Sequence, residues 1–218
     1  MEISIVFEDN DIIVVEKPYG LLSQGSESES ESVLSILEKQ LGLSPYLIHR
    51  LDRNVGGLMV LAKNADSAAR LDRAVSERAF EKQYMAICCG EVRGSGCLTD
   101  YLMKNQRLNL SKIVNSGNVG AKKAVLEYEA FEYVEPYTLV KIRLLTGRHH
   151  QIRAQMAHFG APLLNDSKYN PLFRHKRCNN IGLWSYHLSF YHPKTNERLF
   201  FTRNPASEDF KIFEYFRG

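Results

Sequence analysis

Between His49 and Lys63 the chain reads HRLDRNVGGLMVLAK, and its single carboxylate, Asp52, stands between two arginines, Arg50 and Arg53. A carboxylate beside guanidinium groups stays ionised at neutral pH, because an opposite charge a few ångströms away favours the charged form. Such an acid suits nucleophilic work better than proton donation. Gly56 and Gly57 follow as a flexible pair, and an apolar run from Leu58 to Ala62 comes after them. With Tyr46 to Ile48 on the other side, the charged tetrapeptide is expected at the end of a short buried strand, where reactive groups are usually displayed.

A second basic stretch, Thr146 to Arg153 (TGRHHQIR), reads as a strand end turning into a helix. Its apolar stripe is expected to be Ile152, Met156 and Phe159, with Gly160 as the stop. A helix N-terminus presents backbone N–H groups to anions, so Arg148 and His149 would face a phosphate backbone there. Arg153, one turn further in, reads from the residues alone either as a partner for Asp52 or as a structural arginine. Tyr84, in the strand-like segment Glu81 to Cys89, reads alone as a buried core tyrosine.

These segments do not stand by themselves. HRLD followed by a small-Gly-Leu segment and Leu-Ala-Lys resembles the active-site motif of the RluA family of pseudouridine synthases. EDNDIIVVEKPYGLLS (Glu8 to Ser23), KQYMA (Lys82 to Ala86), LLTGRHHQIRAQMAHFGAPLLND (Leu144 to Asp166) and HLSFYHPKTNE (His187 to Glu197) are similar to that family in the same order, over nearly the whole chain. The resemblance implies an α+β fold, with a mixed, largely antiparallel central β-sheet flanked by helices and loops. It implies Asp52 as the catalytic residue, Tyr84 against the target base, and Arg153 in an ion pair with Asp52. Lys17, in the Lys17-Pro18-Tyr19-Gly20 segment that the family places beside the site, would reach a phosphate, where the residues alone read equally well as a plain turn; Arg50, Arg53, Arg148 and His149 are expected as further RNA contacts. Many members have Thr-Ser-Gly where Val55-Gly56-Gly57 stand here, so this loop is expected to be more mobile.

Turning uridine into pseudouridine breaks the bond from C1′ to N1 and makes one from C1′ to C5. No atom enters or leaves, so no metal and no cofactor is expected. Asp52 could attack C1′, add to C6, or act with the sugar through a glycal, and the sequence leaves the three routes open. The uridine must be turned out of any helix, which costs a few kcal/mol that backbone contacts offset.

The 218 residues, 44% hydrophobic and 24% charged, have the composition of an ordinary globular chain. One catalytic domain over 1–218 is expected, a monomer without a separate N-terminal RNA-binding domain, choosing its target through its own loops. A net charge of +3 permits an RNA partner, either tRNA or large-subunit rRNA, without the strongly basic footprint of a dedicated nucleic-acid module. The basic residues gather instead in Arg143 to Arg153 and Lys168 to Arg177. Cys88, Cys89, Cys97 and Cys178 lack zinc-site spacing and are expected as free thiols. No signal peptide or apolar run of membrane length is read, so the expected compartment is the cytoplasm.

Around the motifs, Ile3 to Phe7 and Ile12 to Glu16 should form a hairpin, and QGSESESES (Gln24 to Ser32) an acidic mobile loop. A helix capped by Ser32 should carry Val33, Leu37 and Leu41 on one face and end at Gly42. A second, capped by Asn64, should bury Ala68, Leu71 and Val75. An exposed loop is expected from Lys104 to Asn118, strands at Ala121 to Tyr133 and Tyr137 to Leu145, and a hairpin of Leu183 to Tyr191 with Arg198 to Thr202. Pro205 to Phe216 should be a helix sealing the core with Phe210, Phe213 and Phe216. Two other functions compete. A metal hydrolase would use His49, Asp52, His149 and His150, but adjacent histidines point apart on a helix, where metal ligands sit three or four residues apart. A non-catalytic RNA-binding protein would keep the fold and use Asp52 only in salt bridges.

Overall fold

A computed structural model describes residues 1–25, 31–176, 178–205 and 207–217. Most of the expected acidic loop, and Arg177 in the basic segment, lie outside the described residues. In chain order the elements are β1 (Ser4–Glu8), β2 (Ile12–Lys17), α1 (Val33–Leu41), β3 (Tyr46–Leu47), β4 (Gly56–Ala62), α2 (Ala65–Ser76) and β5 (Glu81–Cys89). They continue with β6 (Ser95–Asn105), β7 (Leu110–Val114), β8 (Lys122–Val134), β9 (Tyr137–Leu144), α3 (Gln151–His158), β10 (Leu183–Tyr191) and β11 (Arg198–Thr202). The fold is a mixed α/β one built mainly from antiparallel strands, as expected. The chain divides into two compact units, residues 1–82 with 184–204, and residues 83–183 with 205–218.

In the first unit β1 and β2 form the expected hairpin, and β2 runs antiparallel to β4 from Ile12 opposite Ala62 to Lys17 opposite Gly57. All seven residues of β4 are buried, which is why its sequence is a continuous apolar run rather than an alternating one. Ala68 and Leu71 of α2 pack on Ile12, Val14, Leu58 and Val60, with Phe80, Leu188 and Phe190 closing the same core. Both helix starts follow their caps. Ser32 Oγ accepts from Ser35 N–H in a capping box, Asn64 Oδ1 accepts from Ser67 N–H, and Gly42 ends α1 at φ 67°.

Gly56 and Gly57 depart from expectation, because they open β4 instead of forming a mobile loop. They pair in parallel with Trp184 and Ser185 of β10. A Cβ on Gly56 would lie 2.5 Å from Trp184 Cζ3. One on Gly57, whose φ is 111°, would overlap the Ser185 carbonyl and stand 2.6 Å from Ser185 N. The indole that fills the Gly56 side is itself fixed, with Nε1 donating to Arg203 O at 2.9 Å. Close backbone approach, not flexibility, explains the pair.

In the second unit the strands run in the order β5, β9, β8, β6, β7, each antiparallel to its neighbour. The turn at Glu135-Pro136 joins β8 and β9 through a cis peptide. The loop expected over Lys104 to Asn118 is mostly the β6–β7 hairpin, reversed at Asn109 with φ 45°. Leu102 opposite Ile113 turns those two side chains onto Ala124, Ala154 and Tyr169, and that burial holds the strand pair. α3 ends before Gly160 (φ 94°) as expected, yet Phe159 is exposed, its ring 5.2 Å from that of Tyr128. The C-terminal helix is replaced by two 3-10 turns, Glu208–Ile212 and Glu214–Phe216, with Phe210 and Phe213 fully buried. Aromatics three apart share one face of a three-residue turn and would drift around a helix of 3.6.

Candidate active site

Asp52 sits in the turn between β3 and β4, half-buried, its own C=O accepting from Val55 N–H at 3.0 Å. The residues on both sides of it are tied to the Pro18–Ser23 segment. Leu51 donates its N–H to Ser23 Oγ (3.1 Å) while its carbonyl accepts from the same hydroxyl (2.8 Å). Arg53 O accepts from Gly20 N–H at 2.9 Å, and Arg53 Nε donates to Gly20 O at 2.9 Å. The Lys17-Pro18-Tyr19-Gly20 turn therefore lies against the HRLD motif, and a backbone held on both flanks presents one carboxylate in one place.

Lys17 completes the clamp from beneath. Its side chain is fully buried, and Nζ donates to Pro18 O at 2.8 Å and Arg53 O at 3.0 Å. Burial pushes its pKa down to about 7; the charge of Asp52 works the other way and that of Arg53 adds to the depression. A buried ammonium coupled to the motif's carboxylate is a feature that sequence reasoning missed, because a lysine at the end of a strand reads as exposed. Its linkage to stability has a definite sign. The folded pKa lies near 7 and the ordinary value is 10.5, so unfolding takes up a proton between those pH values and stability rises with pH there. Below pH 7 both states hold the proton and the contribution is flat. Denaturant midpoints of wild type and Lys17→Met should therefore diverge from about pH 7 upward, by at most roughly 1.4 kcal/mol per pH unit in favour of wild type. A constant gap across that range would show that Lys17 keeps its proton.

His49, first residue of the motif, is a scaffold group. Its Nε2 accepts from Val60 N–H at 3.2 Å, its ring lies 5.8 Å from that of Phe80, and burial with the Lys82 charge pushes its pKa down to about 3. Because Nε2 accepts from a backbone amide, that nitrogen is closed to a metal ion. Among the described residues the group spaced for a metal is Asp9, Asp11 and His192, which includes none of the four residues of the hydrolase reading. His192 Nδ1 accepts from the N–H groups of Lys194 and Thr195, so its proton is on Nε2 and goes to Asp9 at 2.9 Å. Asp9 also accepts from the N–H groups of Asp11 and Ile12. The trio is a hydrogen-bonded lock on the β1–β2 turn.

The second unit carries the other expected residues. Tyr84 is buried on β5 opposite Ile142 of β9. Arg148 is exposed, its Nε donating to Lys123 O at 3.0 Å. His149 and His150 precede α3 instead of lying on it, and their rings stack at 3.8 Å rather than pointing apart. The left-handed backbone of His150, φ 52°, brings the two rings to the same side. Arg153 is 5% exposed and forms a two-bonded ion pair with Asp166, Nε to Oδ2 at 2.7 Å and Nη2 to Oδ1 at 2.8 Å. Asp166 also went unnoticed in the sequence, although a fully apolar neighbourhood such as Ala161 to Leu164 would hold an aspartate only with a cation beside it. Lys17, Arg50, Asp52 and Arg53 thus gather in one unit, and Tyr84, Arg148, His149 and Arg153 in the other.

Comparison with known proteins identifies the class. The family model for RNA pseudouridylate synthase matches residues 11–158. The chain belongs to that family and is an isomerase that converts uridine in RNA to pseudouridine. The tRNA pseudouridine synthase C of Haemophilus ducreyi is 31% identical over 91% of this chain and 89% of its own length. Ribosomal large subunit pseudouridine synthase D of Vibrio cholerae is 31% identical over 96% of this chain and 69% of its own. Human RNA Pseudouridylate Synthase Domain Containing 4 shares the fold, with a TM-score of 0.77 at 24% identity over 93% of this chain and 89% of that one. Among the described residues no helix is long and apolar enough to cross a membrane.

Proposed function

We propose that the chain isomerises particular uridines of tRNA or large-subunit rRNA, with Asp52 as the residue that engages the ribose or the uracil. The observation that carries this reading is the turn of Asp52, tied at Leu51 to Ser23 and at Arg53 to Gly20 and Lys17. A group that must meet one atom of a flipped nucleotide needs that fixity. Tyr84 supplies the surface for the detached base, and Arg153 the guanidinium that favours a charged carboxylate. Arg50, Arg53, Arg148 and His149 contact the RNA backbone. Lys17, closed off from solvent, serves through the turn it holds and through its charge.

In the balanced reaction the bond between C1′ and N1 breaks and the bond between C1′ and C5 forms. N1 gains a proton and C5 loses one. Residues 1–218 act as a single catalytic domain, in a monomeric cytoplasmic enzyme. The test is to map pseudouridine in total RNA from cells with the gene, without it, and complemented with wild type or Asp52→Asn. Sites that vanish on deletion and return only with wild type are expected, and their identity names the RNA. Sites that persist without the gene, or return with Asp52→Asn, would refute the assignment.

A further inference from the structure

Arg153 is held on its edge and on its face. Asp166, fully buried, grips the edge through both carboxylate oxygens and takes two of the five N–H donors. The carboxylate is fixed in turn, since Oδ1 also accepts from the backbone N–H groups of Lys168 (3.0 Å) and Tyr169 (3.3 Å). The ring of Tyr169 lies across the guanidinium, 5.1 Å from Cζ. Its hydroxyl accepts from Ser111 N–H at 2.6 Å and stands 3.0 Å from His150 Nδ1. These two contacts tie the ring to β7 and to the residue that precedes α3. A planar group gripped along one edge and covered on one face has lost both of its rotations.

Stability alone is a poor reason for such an arrangement, because the desolvation of a buried ion pair largely cancels its attraction. Orientation is what it secures. We propose that Asp166 and Tyr169 are positioning residues for the uridine isomerisation, setting the plane of the Arg153 guanidinium; the inference rests on the reading that Arg153 serves that reaction.

The test uses the full chain and total RNA labelled with tritium at uridine C5, prepared from cells lacking the gene. Tritium release reports turnover per folded molecule. Arg153→Ala should lower kcat about a hundredfold, and added guanidinium ion should restore part of it, because the cradle of Asp166 and Tyr169 remains. Asp166→Asn and Tyr169→Leu should each lower kcat about tenfold, with KM changed less than about threefold. Guanidinium should not rescue Arg153→Ala combined with Asp166→Asn. If Asp166→Asn fails to fold, Tyr169→Leu alone and combined with Arg153→Ala makes the same comparison. Wild-type kcat in folded Asp166→Asn or Tyr169→Leu, no rescue of Arg153→Ala, or equal rescue in single and double variants would overturn the positioning role. Wild-type kcat in Arg153→Ala would instead overturn the role given to Arg153 itself.

Discussion

Asp52→Asn is expected to reduce tritium release from uridine-labelled RNA at least about a thousandfold while leaving the fold and RNA affinity at wild-type levels. The substitution keeps size and shape, and the turn that carries it is held by backbone contacts of Leu51 and Arg53 that the side chain does not make. RNA affinity comes mainly from phosphate contacts of basic groups, so losing one carboxylate does not weaken it. An amide can neither carry the negative charge nor act as the nucleophile. A second effect should accompany the loss of activity. The Asp52 charge supports the buried Lys17 ammonium, so Lys17 should lose its proton at lower pH in the variant. Single-turnover release with saturating enzyme, beside a binding isotherm on the same RNA, separates chemistry from affinity. Release at the wild-type rate would remove Asp52 from the mechanism.

Gly57→Ala should be among the most damaging substitutions outside the chemistry, costing more than about 3 kcal/mol or preventing folding. Two penalties coincide there. The backbone is at φ 111°, which a side chain rarely tolerates, and the new methyl would collide with the Ser185 backbone, where little can give way. Gly20 offers the control, since it has φ 80° but open space around the missing Cβ. Gly20→Ala should therefore cost only the left-handed conformation, about 1 kcal/mol. Urea unfolding of both variants gives the comparison. Equal losses would mean that β4 and β10 approach less closely than their pairing at Gly56 and Gly57 indicates.

Several elements were legible because their causes are local. Ser32 and Asn64 announce helix starts through side-chain oxygens that reach only three residues on, and Gly42 stops a helix by adopting φ 67°. The β1–β2 hairpin follows from two β-branched runs joined by a polar turn. The motif around Asp52 was legible for a different reason, since its ordered companions along the chain resemble one family. Where a local reading went astray, a distant partner had decided the matter. The glycines at 56 and 57 read as a flexible loop until Trp184 and Ser185 are placed against them. The phenylalanines at 210, 213 and 216 fit a helix only roughly, and burial selected the tighter 3-10 turn that their spacing matches.

By itself, then, the sequence determined the family and with it the kind of chemistry, because motifs in a fixed order keep their resemblance however the chain folds, and it supplied the candidate groups. Only the tertiary structure decided the state of those groups. Whether Lys17 is solvated or sealed under the Asp52 turn, and whether Arg153 is a lone cation or one gripped by Asp166 and covered by Tyr169, depends on which segments meet. Desolvation and hydrogen-bond geometry are set by atoms brought together in space, such as Lys17 and Arg53 thirty-six positions apart, and the order of residues along a chain does not record that approach.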